Sequence, residues 1–159
     1  SSSAGSSESI AYLTLTTPFP DGTNFVKTSD FGYRIDPIDK SNISFHSGLD
    51  LSAPAGTDIV ASADGEVVGT GFQENGLGNY VYIKHDLGGM VLFTMYGHML
   101  DDSIVVNVGD KVMKKQKIGT IGSTGRSTGI HCHFMISVDK LSFKQEDLLD
   151  PIIVVEGLK

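Results

Sequence analysis

The chain has 159 residues, among them 19 glycines and one cysteine, with 19 acidic against 12 basic residues and a formal net charge of −7. That length carries one domain with a sizeable core. The charge argues against nucleic acid as a partner, and no stretch approaches the roughly 20 apolar residues of a membrane-spanning helix. A lone Cys132 excludes an intrachain disulfide and leaves the compartment open.

In chain order, the first segment is serine-rich and has neither a basic start nor an apolar signal region. Residues 1–20 read as a linker-like or disordered N-terminus, and residues 21–159 as a single domain, with further domains of a longer parent chain expected. A loop is expected over 31–45. Next comes His46-Ser47-Gly48-Leu49-Asp50, where Gly48, Pro54 and the absence of an apolar helical period predict a loop running into a strand. Short β-prone runs follow at 59–61, 65–69, 79–84, 90–96, 118–121 and 133–138, separated by glycine-rich turns. Ser142 to Leu149 is the one stretch that predicts a short helix, with Asp150-Pro151 as its stop. The expected fold is mainly β, an antiparallel sheet whose loops at 31–45, 70–79, 100–107 and 122–130 wall a groove.

Four of the five histidines fall in three motifs: His46-x-x-x-Asp50, Tyr96-Gly97-His98-Met99 and His131-Cys132-His133. Imidazoles with a carboxylate are a donor set for borderline divalent metals such as zinc. Histidines left over beside such a metal move protons at neutral pH. In a strand, His131 and His133 share one face while Cys132 turns to the other, toward packing. His85 ends a strand next to a turn and reads as structural.

These motifs, with Phe31-Gly32-Tyr33-Arg34, Asp64-Gly65-Glu66-Val67-Val68, Gly78-Asn79-Tyr80-Val81-Tyr82 and Gly122-Ser123-Thr124-Gly125 in the same order, resemble the lysostaphin-type zinc metallopeptidases of bacterial cell walls. The resemblance runs from Phe31 to Pro151. It implies His46, Asp50 and His133 as ligands of one zinc ion per chain, and His98 and His131 as the catalytic pair. It further implies an endopeptidase that cuts peptidoglycan cross-links or cross-bridges, secreted or at the cell wall, and expected to be a monomer. Relatives of this type cut glycyl bridges, bonds from D-alanine to the bridge, or bonds from D-alanine to diaminopimelate. Ile130 stands where the family commonly has proline, Cys132 where it has leucine, and Met135 where a glutamate or glutamine often follows the phenylalanine.

The chemistry is coherent without the resemblance. Zinc held by three protein ligands keeps a position for water and activates it near neutral pH, so amide hydrolysis needs no serine or cysteine nucleophile. No His-Glu-x-x-His motif supplies a glutamate base, which leaves the two remaining histidines for proton transfer. The sequence does not divide base from acid between them. Three other readings are weaker. A biotinyl- or lipoyl-type carrier lacks a lysine at a hairpin tip. An iron oxygenase leaves His131 and His133 unexplained. A degenerate, non-catalytic peptidoglycan-binding or regulatory relative has no need of an intact ligand set.

Overall fold

The computed structural model describes residues 15–36, 39–127 and 129–158. In chain order the strands are β1 (Val26–Ser29), β2 (Gly32–Ile35), β3 (Ile43–His46), β4 (Leu49–Ser52), β5 (Asp58–Val60) and β6 (Gly65–Gln73). They continue with β7 (Gly78–Asp86), β8 (Val91–Met99), β9 (Lys111–Val112), β10 (Lys117–Thr120), β11 (Cys132–Val138) and β12 (Leu148–Leu149). One eight-stranded antiparallel sheet runs β1-β4-β11-β8-β7-β6-β9, with β12 also paired to β11; β2-β3 and β5-β10 form two small ribbons.

The middle of the sheet explains its sequence. β8 is buried along nearly its whole length, and β11 likewise, because both of their faces are covered, so they read as apolar runs rather than as alternation. On one face Tyr96 packs against Phe134, with ring centroids 5.5 Å apart, inside the main core that includes Ile83, Leu92, Cys132 and Ile136. On the other face lies a smaller cluster of Tyr82, Met95 and Met135, flanked by Leu77 and Tyr80. Alternation along β11 therefore sends Cys132, Phe134 and Ile136 into the core and His133 and Met135 to the opposite face.

The core also holds a chain of polar groups whose directions follow from one another. His85 Nδ1 donates to the Asp64 carbonyl at 2.8 Å, so its Nε2 accepts from the Thr94 hydroxyl at 2.7 Å. Thr94 in turn accepts from the Tyr96 hydroxyl at 2.6 Å, and Tyr96 accepts from the Ser62 backbone N–H at 3.1 Å. Each member is satisfied only while His85 is neutral.

Three sequence expectations need correction. Leu15 and Phe19 are fully buried, and Leu15 bridges Val155, so the packed unit includes residues assigned to the linker. Residues 1–14 lie outside the described residues. The stretch from Ser142 to Leu149 forms no α-helix: a 3-10 turn at Gln145–Asp147 leads into β12, because Leu148 and Leu149 are drawn into pairing with β11. The stretch 31–45 contains the β2-β3 ribbon, with Gly32 opposite His46 and Ile35 opposite Ile43. Strands of only four residues are shorter than the windows in which alternation shows.

Candidate metal centre

His46 is the last residue of β3 and Asp50 the second of β4, joined by Ser47-Gly48. In the sheet, β4 lies beside β11 with Asp50 directly opposite His133, and His133 faces Gly97 of β8 on its other side. Register alone thus carries a carboxylate and an imidazole from positions 83 residues apart onto one spot. The approach depends on Gly48. A Cβ there would lie 2.4 Å from the Phe134 carbonyl oxygen and 2.7 Å from Met135 Cγ.

The imidazoles are held from behind. His46 Nδ1 donates to the Asp30 carbonyl at 2.8 Å, since a carbonyl can only accept; this leaves Nε2 bare, 3.3 Å from Asp50 Oδ2. His133 is turned the other way, with Nδ1 2.9 Å from Asp50 Oδ1 and Nε2 3.3 Å from the Ser47 hydroxyl. One donor atom from each of His46, Asp50 and His133 lies within 4.8 Å of the others. Two nitrogens and a carboxylate oxygen at that spacing, with the His46 tautomer fixed by a backbone carbonyl, fit a divalent metal.

His98 and His131 stand beside this cluster. At the end of β8 the register with β7 shifts, so that His98 sits in a bulge with φ +58°, a left-handed conformation that non-glycine residues seldom take. Its backbone N–H is tied to the Leu77 carbonyl at 2.5 Å. Strain of this kind is kept where the side chain must be aimed. His98 Nδ1 donates to the Thr124 carbonyl at 2.7 Å and His131 Nδ1 to the Gly129 carbonyl at 3.0 Å, so both present an unprotonated Nε2 when neutral. Their ring centroids are 4.6 Å apart, and His131 Nε2 is 3.5 Å from Asp50 Oδ1.

The electrostatics follow from this packing. Burial works to raise the Asp50 carboxyl, but hydrogen bonds and charge interactions with His133 and His46 outweigh it and hold the group well below the usual carboxylate range. Burial lowers the His98 and His133 pKa values; the Thr124 carbonyl opposes it at the first and Asp50 at the second. On the core side, burial pushes the Cys132 thiol up, so it behaves as an inert apolar residue.

All five residues line a groove of about 1150 Å³. Parts of the expected loops 31–45, 70–79 and 122–130 wall it, through residues such as Arg34, Leu77 and Arg126. The 100–107 loop does not. Its residues Leu100, Ile104 and Asn107 line a separate cavity beside β6, because the chain leaving Met99 folds back on β10 through Val105 and Ile118. His85 is in the core, away from the groove. Sequence reasoning missed Ser29, Ser47 and Thr124, which brace the histidines. Isolated hydroxyl residues carry no spacing signal.

A ligand cluster at the centre of an antiparallel sheet, with two free imidazoles under an open groove, is the layout of a metallopeptidase. The chain belongs to peptidase family M23, whose model matches residues 44–147. It is 41% identical over 107 residues to the DD-carboxypeptidase/endopeptidase Mpg of Neisseria meningitidis, which is 67% of this chain and 23% of that protein. It is 40% identical over 105 residues to the peptidoglycan DD-endopeptidase ShyA of Vibrio cholerae, 66% of this chain and 23% of the relative. The chain therefore spans less than a third of the length of these curated relatives. Among solved structures, the catalytic domain of lysostaphin from Staphylococcus simulans superposes with TM-score 0.69 at 31% identity, covering 81% of this chain and 90% of that one. A zinc-containing peptidase from Vibrio cholerae gives TM-score 0.70 at 30% identity, covering 86% and 38%.

Proposed function

We propose that the chain is a zinc-dependent endopeptidase that hydrolyses peptide cross-links of bacterial peptidoglycan, acting outside the cytoplasm as a secreted or wall-associated catalytic domain. The observation that carries this reading is the convergence of His46, Asp50 and His133 with two further imidazoles whose Nε2 atoms are bare. The names of Mpg, ShyA and lysostaphin as cell-wall or antimicrobial peptidases support the substrate class.

In this proposal His46 Nε2, an Asp50 oxygen and His133 Nδ1 hold one zinc ion. When bound, zinc supplies Lewis acidity to the scissile carbonyl and lowers the pKa of water. The protein's own part is proton transfer and orientation. His98 and His131, with Nδ1–H anchored on carbonyls, each offer Nε2 to take a proton from water or return one to the departing amine. Their anchors also keep the two rings from turning away between those steps. Ser47 braces the far edge of His133. A non-catalytic relative has no use for this aligned pair.

Purified peptidoglycans of known cross-bridge, incubated with the zinc-loaded protein and read by mass spectrometry, test the proposal. Soluble fragments with new amino termini are expected, and their masses name the bond. Zinc-loaded protein that releases no fragment from any of them overturns it.

A further inference from the structure

The chain contains two arginines, Arg34 and Arg126, and both line the groove, while none of its lysines does. In a chain of net charge −7, the cations facing this site are thus both guanidinium groups. Arg126 is exposed on the far wall. Arg34, on β2, is half-buried and fixed: its Nη1 donates to the Ser29 hydroxyl, and that hydroxyl lies 3.5 Å from His46 Nδ1. Its Nε is buried with no partner. No carboxylate pairs with it among the described residues; Asp36, two positions on, accepts the Asp39 backbone N–H at 3.0 Å.

A buried N–H without an acceptor is unfavourable until something completes it. A guanidinium offers a planar fork that matches a carboxylate with two parallel hydrogen bonds. We propose that Arg34 anchors a free α-carboxylate on the residue released by hydrolysis, so that this groove selects peptide bonds whose departing amine carries one. The inference rests on the peptidase reading above and narrows it.

Position decides which carboxylate is meant. Arg34 is one hydroxyl away from His46, so the group it binds sits immediately beside the scissile bond. The residue on the acyl side has its own α-carboxyl tied up in that bond. An adjacent free α-carboxylate therefore belongs to the departing residue, as it does in a C-terminal residue or in a diamino acid cross-linked through its other amine. A bond inside a glycyl bridge has a neutral amide at that place. The groove accordingly favours bonds from D-alanine to a carboxylate-bearing residue over glycyl–glycyl bonds.

The test uses two stem peptides identical except that the residue after the scissile bond ends in a free carboxylate or in a carboxamide. With zinc-loaded protein, kcat/KM for the acid should exceed that for the amide by about tenfold or more. In Arg34→Gln this ratio should collapse toward one, and Arg34→Lys, which keeps charge without the fork, should fall between. Circular dichroism separates lost fold from lost preference, and the wild-type ratio needs no variant. A wild-type ratio near one overturns the inference, as does a preference that survives in Arg34→Gln. Cleavage of neither peptide, with zinc bound and purified peptidoglycan also left intact, overturns the peptidase reading and this inference with it.

Discussion

Asp50 and His133 are direct partners across the β4-β11 ladder, with Oδ1 and Nδ1 2.9 Å apart. The candidate ligand pair is therefore a property of strand register. A slip of one residue would turn one of the two to the core face.

Ligands and proton carriers should separate by mutation. Alanine at His46, Asp50 or His133 should remove zinc and activity together, since each takes away one of three protein donors. Alanine at His98 or His131 should keep zinc near stoichiometric and slow hydrolysis by roughly a hundred to ten thousand fold. Zinc content and turnover measured on the same five variants check this. A His131→Ala protein that loses zinc as fully as His133→Ala would refute the division.

The protein should bind about one zinc per chain, and a chelator should abolish hydrolysis until zinc is restored. The melting temperature should drop on chelation and rise with added zinc, because the ion binds the folded ligand set. Calorimetric titration of the metal-free protein reads the stoichiometry, and full activity after exhaustive chelation is the contrary result.

Gly48→Ala should damage the site from behind. Its Cβ would meet the Phe134 carbonyl oxygen at 2.4 Å, so β4 must move off β11, at a cost of about 1–3 kcal/mol. Asp50 moves with β4. Denaturant unfolding together with zinc affinity checks the prediction, in which both fall; unchanged zinc affinity would show that Asp50 is placed independently of this contact.

Buried His85 makes stability depend on pH. Burial lowers its pKa, opposed by its bond to the Asp64 carbonyl, whereas in the unfolded chain it titrates near 6.5. Above that pH both states are neutral and its contribution is complete. As pH falls below about 6.5 the unfolded chain takes up a proton that the folded chain resists, so stability is lost until the folded group titrates as well. Urea midpoints at pH 8 and pH 5.5, at matched zinc, should fall less in His85→Gln than in the wild type. Equal losses would assign the dependence to other groups.

Much of this was legible in the sequence for a local reason. A period of two placed His131 and His133 on one face with Cys132 toward the core, and the apolar runs of β7, β8 and β11 marked the middle of the sheet. The short polar strands β1 to β4 were not legible, because their alternation is no longer than chance produces and their partners are distant in sequence. Nor was the bulge that aims His98, the buried Nε of Arg34, or the packing of Leu15 and Phe19. Residue type and periodicity determined the donor set, its shared strand face and the mainly β architecture. Which donors meet was decided by the tertiary structure, since pairing between β4, β11 and β8 is a long-range match of whole strand faces that no single segment encodes.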